Sequence, residues 1–280
     1  MSIRRRAAVI GRPVAHSLSP AIHAAAFAEL GIDWEYVAVE VGSENVGQII
    51  ESCREGEMAA LSVTMPLKEA VIPHLDELSD TARALGAVNC VVSRDGRLVG
   101  HNTDGEGCCD ALVEQGDLDI GSSTVLLLGA GGTARAIALA LVRRGASVIV
   151  RNRTPARVES LLSCVASHGG ALVGSIRADR PGESPAVDAI VNATSVGMNS
   201  DDSPLDPSEI APGTVVLDAV YSPLRTRLLR DAEGGGAKVV DGLWMLVHQA
   251  RHQQLVWFGA AGSAATMRAE SERVLAERSK

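Results

Sequence analysis

Thr124 to Ala136 reads TVLLLGAGGTARA, and no other stretch limits the possible folds of this chain as much. Thr124-Val125-Leu126-Leu127-Leu128 is an unbroken apolar run, the pattern of a strand buried on both faces of a parallel sheet. Gly129, Gly131 and Gly132 follow, and then the helix-forming run Ala134 to Leu141. A strand, a glycine turn and a helix N-terminus together make an anion site, because free backbone N–H groups and the helix dipole point to one place. In the G-x-G-x-x-G/A form, Gly129 permits the tight turn and Gly131 lets the backbone approach a pyrophosphate. Ala134 is the small residue that allows close helix–strand packing.

The context strengthens a motif that is weak alone. A second apolar strand, Ala146 to Val150, ends in Arg151-Asn152-Arg153-Thr154. NAD-binding chains usually carry an Asp or Glu here to take the ribose 2′-hydroxyl. This chain has two arginines flanking an asparagine instead. A carboxylate repels a 2′-phosphate and a guanidinium pairs with it, so the expected cofactor is NADP.

Composition narrows the class further. The chain has 280 residues, 46% hydrophobic and 21% charged, enough to bury the core of one large or two ordinary domains. A net charge of -8 argues against a dedicated nucleic-acid or anionic-membrane binder, and 2% aromatics leave little material for base stacking. The five cysteines lack zinc spacing and read as reduced thiols with no metal site, as in a cytoplasmic protein. The start MSIRRRAAVIG has no apolar segment behind its basic residues, so no leader is expected, and Arg4-Arg5-Arg6 reads as a solvated tail. No apolar run reaches bilayer length.

Upstream of the glycine stretch lies a second α/β pattern. Ala7 to Gly11 is a short strand, and Ser19 is placed to cap a helix opened by Pro20 and ended by Gly31. Ser17 has no such structural use, and two hydroxyls in one loop suit a polyol or carboxylate ligand. Trp34 to Val41 alternates as a strand, Val46 to Cys53 forms a helix, and Met58 to Thr64 is a strand halted by Pro66. Lys68 stands just past that strand, where open α/β sheets bind ligands, although a lone lysine there is also an ordinary surface residue. Asp95-Gly96 marks a hairpin, which leads to Asp104, either a helix cap or a site residue. Downstream, residues 174–186 read as loop and short helix, Val187 to Val191 and Val215 to Tyr221 as strands, and Pro223 to Leu229 as a helix. After a last short strand, Lys238 to Gly242, two helices close the chain and are expected to return to the first domain.

The motifs Ser17-Leu18-Ser19-Pro20, Val63 to Lys68, Gly86-Ala87-Val88-Asn89 and Asn102-Thr103-Asp104-Gly105 follow one another in order. Gly129 to Gly132, Asn152-Arg153-Thr154, Asn192-Ala193-Thr194 and Gln249 continue the series. In order and spacing the chain resembles the shikimate dehydrogenases over nearly its whole length. The resemblance implies residues 1–104 as a substrate domain completed by helices in 243–280, and 105–242 as a doubly wound, Rossmann-type NADP domain, with the active site in the cleft between. It further implies reversible hydride transfer between NADPH and 3-dehydroshikimate, giving shikimate on the route to chorismate and the aromatic amino acids, by a monomer or homodimer.

The same resemblance assigns roles. Lys68 exchanges the proton at the reacting oxygen, with Asp104 as its partner. Ser17 and Ser19 meet the substrate carboxylate, and Thr64, Asn89, Asp104, Tyr221 and Gln249 surround the ring hydroxyls. Gly129, Ala130, Gly131, Gly132 and Thr133 hold the pyrophosphate, and Asn152, Arg153, Thr154 and Arg157 hold the adenosine phosphate. Thr194 joins the cofactor set, and Ala219, Gly242 and Met245 lie near the nicotinamide. Many members carry Asn where this chain has Ser62 and Thr where it has Cys90, which leaves room for a shikimate-like or quinate-type substrate. A non-catalytic NADP-binding regulator would not need Lys68 and Asp104 together.

Overall fold

A computed structural model describes residues 5–167, 173–180, 182 and 185–278. Arg4, residues 181, 183 and 184 of the weakly patterned stretch, and the last two residues of the closing helices lie outside these. The chain forms two compact units: Met1–Thr103 with Gln249–Lys280, and Asp104–His248.

The first unit is built on a mixed six-stranded sheet. Its strands are β1 (Arg5–Gly11), β2 (Trp34–Glu40), β3 (Ala60–Val63), β4 (Glu77–Leu78), β5 (Cys90–Arg94) and β6 (Arg97–His101), in the order β2-β1-β3-β5-β6-β4. β1 pairs in parallel with both β2 and β3, and β5 runs antiparallel to both β3 and β6. Asp95 and Gly96 both adopt positive φ between β5 and β6, the two-residue turn that matches strand twist. Arg5 and Arg6, expected in a solvated tail, are exposed but open β1, and Arg6 reaches Glu35 at 3.0 Å across the β1/β2 edge. β1 is covered on both sides. Ala8 and Ile10 pack with Ile50 and Cys53, and Ala7 and Val9 pack with Phe27 and Tyr36. Five of the seven aromatic rings (Phe27, Trp34, Tyr36, Trp257, Phe258) gather on this second face, so the few large rings are committed to core packing.

Helices α1 (Ser19–Leu30), α2 (Val46–Arg54) and α3 (Asp80–Leu85) belong to this unit. α3 is capped at Ser79, whose side chain accepts from the Ala82 N–H, and α1 ends on Gly31 in the left-handed conformation. Ser19 is not the cap foreseen for α1. Leu18 occupies that position with no side-chain cap, and Ser17 Oγ instead accepts from the Ser19 N–H at 3.2 Å.

The second unit carries a parallel sheet of β7 (Thr124–Leu128), β8 (Ser147–Arg151), β9 (Ser175–Ala178), β10 (Ala189–Asn192), β11 (Val215–Asp218) and β12 (Lys238–Val240). Their order, β12-β11-β10-β7-β8-β9, is that of a doubly wound fold, with the reversal between β7 and β10. β9 falls where loop and short helix were expected. Its SIRA sequence is a half-exposed edge strand, which needs no buried apolar alternation.

Helices α4 (Asp104–Glu114), α5 (Gly132–Arg143), α6 (Pro155–Ser167) and α7 (Arg227–Gly234) complete the unit's covering layers. α7 starts later than the helix expected from Pro223, because the Thr226 side chain caps it by accepting from the Leu229 N–H. Gly105 explains part of its motif: a Cβ there would lie 2.2 Å from the Ala136 carbonyl oxygen of α5. The closing helices are α8 (Gly242–Phe258) and α9 (Ala264–Arg278). The division at His248 and Gln249 falls within α8, so neither end of that helix marks it.

Candidate functional site

In the first unit two of the predicted substrate residues, Asn89 and Gln249, belong to one hydrogen-bonded array. Asn89 stands just before β5, and its Nδ2 donates to Thr103 Oγ1 at 3.0 Å and to Gln249 Oε1 at 3.2 Å. Its Oδ1 accepts from the Thr103 N–H at 2.8 Å, and Thr103 Oγ1 donates to the Gln249 carbonyl at 3.1 Å. Thr103, unassigned by sequence, thus ties Asn89 to α8 although 146 residues separate it from Gln249. Thr64 and Lys68 are half-buried in the segment that leaves β3. That segment is held by backbone bonds from Thr64 N–H to Ile10 and from Val88 N–H to Lys68. Gly11 lets it lie close, since a Cβ there would meet Thr64 Cγ2 at 2.4 Å. Ser17 and Ser19 are half-buried at the start of α1.

Ser62 is not an idle truncation. It is buried, accepts from the Tyr36 hydroxyl at 2.7 Å and donates to Gln253 Oε1 at 2.6 Å. Gln253 Nε2 in turn donates to the Asn89 carbonyl at 3.1 Å. Burial pushes the Tyr36 phenol above its ordinary pKa, against the smaller pull of its hydrogen bond with Ser62. His23 lies under this group, stacked on Tyr36 with ring centroids 4.3 Å apart, and burial holds its pKa down at about 3. Sequence reasoning missed Tyr36 and Gln253. Their only signal was a polar residue within otherwise apolar strand and helix faces.

Asp104 and Tyr221, also predicted at the substrate, belong to the second unit. Asp104 is the first residue of α4 and only 3% exposed, and Tyr221 is half-buried beyond β11.

Every residue predicted for the cofactor is in the second unit. Gly129 has φ +113, and a Cβ there would sit 3.1 Å from the Ala193 carbonyl and from Thr194 Cγ2, so the turn after β7 excludes side chains. Gly131 and Gly132 differ: an added Cβ would meet nothing within 4 Å. They open α5 with no side-chain cap at Gly131, leaving room for an anionic group at the helix N-terminus. Ala130 is buried behind them, and Thr133 is half-buried. Thr194 is fixed at the end of β10, where its N–H and hydroxyl both donate to Asn192 Oδ1 at 3.0 and 2.7 Å. Asn192 Nδ2 donates to Asp218 Oδ1 at 2.9 Å, and Asp218 also accepts from the Val220 N–H and the Thr226 hydroxyl. Burial raises the Asp218 pKa against those three donors. Gly242 packs tightly, its virtual Cβ 2.6 Å from the Ala219 carbonyl oxygen, and Met245 is buried one turn along α8.

The two arginines after β8 part company. Arg151, read with Arg153 as a phosphate fork, pairs instead with Asp179 at 2.5 Å and Glu209 at 2.6 Å. Arg153 and Arg157 are exposed and form no ion pair among the described residues, and Asn152 Nδ2 donates to the Thr154 carbonyl. The donors left at this edge are therefore Arg153, Thr154, Arg157 and the second amide hydrogen of Asn152.

Among the described residues one possible metal-ligand group appears, Asp110, Glu114 and His248, with ligand atoms within 4.8 Å. Arg144 already holds Asp110 at 2.8 Å, and Gln115 meets His248 Nε2 at 2.9 Å, so a cation and an amide occupy the positions a metal would need. Burial raises the Cys90 and Cys109 pKa values to about 12, as suits core thiols. No helix among the described residues is long and apolar enough to cross a membrane.

A model of the shikimate dehydrogenase substrate binding domain matches residues 9–91, and one of shikimate/quinate 5-dehydrogenase matches residues 111–195. The NADP(+) shikimate dehydrogenase of Thermococcus kodakarensis is 43% identical over 261 residues, 93% of each chain. The chain belongs to the shikimate dehydrogenase family. Among solved structures, the Thermus thermophilus shikimate 5-dehydrogenase in complex with NADP(H) and shikimate is 38% identical with a TM-score of 0.87, covering 96% of this chain and 99% of its own. The 5-ketofructose reductase of Gluconobacter is 30% identical with a TM-score of 0.89, covering 98% and 100%.

Proposed function

We propose that this protein is an NADP-dependent oxidoreductase that interconverts shikimate and 3-dehydroshikimate. The observation that carries the reading is the pairing of two preformed features: a glycine cradle open at Gly131 and Gly132, and the fixed Asn89–Thr103–Gln249 array. The first suits a pyrophosphate at a helix N-terminus, with Asn152, Arg153, Thr154 and Arg157 on the 2′-phosphate. The second presents amide groups to a hydroxylated ring, whose loss would leave buried polar atoms unpaired. When bound, the nicotinamide supplies the hydride.

The chain's own residues do the rest. Lys68 donates a proton to the ring oxygen as the ketone is reduced and takes it back in the reverse direction, and its positive charge stabilises the developing alkoxide. Asp104, buried at the start of α4, is the carboxylate partner that orients the ammonium. Ser17 and Ser19 hold the ring carboxylate, with Thr64 and Tyr221 on ring hydroxyls. The reaction serves the synthesis of chorismate and the aromatic amino acids, in a cytoplasmic monomer or homodimer whose substrate domain is residues 1–104 with the closing helices.

A second reading, an enzyme for a related ring acid such as quinate, is favoured by Ser62 and by the likeness to a reductase of another hydroxylated ketone. Steady-state oxidation of shikimate and quinate, each with NADP and NAD, decides between them. The first reading requires kcat/KM to be highest for shikimate with NADP. A higher value for quinate establishes the second, and no turnover of either acid removes both.

A further inference from the structure

Ser62, Tyr36 and Gln253 have no role in the mechanism above, yet they form a buried chain of hydrogen bonds that ends on Asn89. The direction of each bond follows from the last one. The Asn89 carbonyl accepts the Val63 N–H at 2.8 Å and Gln253 Nε2 at 3.1 Å, so the amide of Gln253 must turn its nitrogen toward it. Its Oε1 then faces Ser62, and an amide oxygen only accepts. Ser62 has one hydrogen and donates it there, at 2.6 Å. Tyr36 must therefore donate to Ser62, at 2.7 Å. Two hydroxyl hydrogens run one way because one amide is fixed.

We propose that Gln253 is a positioning residue for substrate: its amide sets the direction of the Tyr36–Ser62 hydroxyl chain and braces Asn89. Tyr36 and Ser62 are thereby held as acceptors toward any ring hydroxyl beside them and are unavailable as donors to a carboxylate. The ring is admitted in one orientation, with its carboxylate at the serine loop. Gln253 is 4% exposed, Ser62 6% and Tyr36 8%, so the chain is walled from bulk water and cannot reorient cheaply. This inference rests on the shikimate dehydrogenase reading.

The test is a double-mutant cycle on full-length protein with shikimate and NADP. Gln253→Met keeps length and removes both polar atoms; Tyr36→Phe keeps the ring stacked on His23 and removes one hydroxyl. Gln253→Met is expected to raise KM for shikimate about tenfold, with kcat changed less than about threefold and KM for NADP unmoved. Tyr36→Phe is expected to raise the same KM about fivefold, and the double variant to be no worse than Gln253→Met, since the two act through one chain. Unchanged KM for shikimate, an equal rise in KM for NADP, or multiplying effects in the double variant each overturn the proposal. If Gln253→Met does not fold, Tyr36→Phe alone decides it by the same KM. Wild-type protein without turnover of shikimate overturns both this inference and the reading beneath it.

Discussion

The two halves of the candidate machinery recognise their ligands by different physical means. In the first unit, side chains far apart in sequence are bonded to one another before any ligand arrives: Ser62 and Gln253 are 191 residues apart and 2.6 Å from contact to contact. In the second unit the nucleotide edge is made of backbone N–H groups, open glycines and exposed arginines. The first arrangement is rigid, because buried side chains such as Ser62, Gln253 and Asn89 are already bonded to one another. The second attracts by charge and helix dipole, which suits a cofactor recognised by its phosphates. Changes in the interior of the first unit should therefore be large and specific. Changes at the rim of the second should shift preference without ending activity.

Four measurements break or sharpen that contrast, taken from the largest effect down. Lys68→Ala should lower kcat by about 10² or more while NADP affinity, followed by cofactor fluorescence, stays within a few-fold; near-normal turnover would remove Lys68 from the chemistry. Arg153→Asp should reduce the NADP-over-NAD preference in kcat/KM by about fifty-fold, because it exchanges attraction for repulsion at a 2′-phosphate. Equal losses with both cofactors would leave Arg153 as a plain surface charge.

The third concerns His23, whose pKa is held near 3 by burial against an unfolded value of 6.5. A depressed base binds its proton in the unfolded chain first, so the folded state loses stability as pH falls below about 6.5 and goes on losing it to about 3. Between pH 7 and pH 5 this amounts to about 2 kcal/mol. Urea unfolding of His23→Gln should show that much less pH dependence, and an unaltered slope would mean the ring is charged or wet. The fourth and smallest is Arg151→Met, expected to cost about 1 kcal/mol of stability through its pairs with Asp179 and Glu209. The NADP-over-NAD ratio should move far less than in Arg153→Asp. A comparable shift would return Arg151 to the phosphate site.

The contrast also explains what could be read from the sequence. Glycine spacing and apolar runs are local, so β7, α5, β8 and the doubly wound unit were legible, as were the Asp95-Gly96 hairpin and the helix end at Gly31. Partners distant in the chain were not. Arg151 resembled a ligand group because nothing near it in sequence announces Asp179 or Glu209. Ser19 looked like a cap because sequence cannot show that Leu18 is already helical in its backbone. Ser62 looked like a loss of contact because its compensation comes from Gln253, on the far end of the chain. β9 escaped because an edge strand with half-exposed faces needs no hydrophobic pattern.

Asp218 gives the second unit a further property. One acid receives Asn192, Val220 and Thr226, and through them the ends of β10, β11 and the start of α7. Among the described residues no arginine or lysine pairs with it, so opening any one segment takes a donor from a buried acid. These three segments therefore loosen together rather than singly, and the amide hydrogens of Thr194, Val220 and Leu229 should trade for deuterium as one cooperative block.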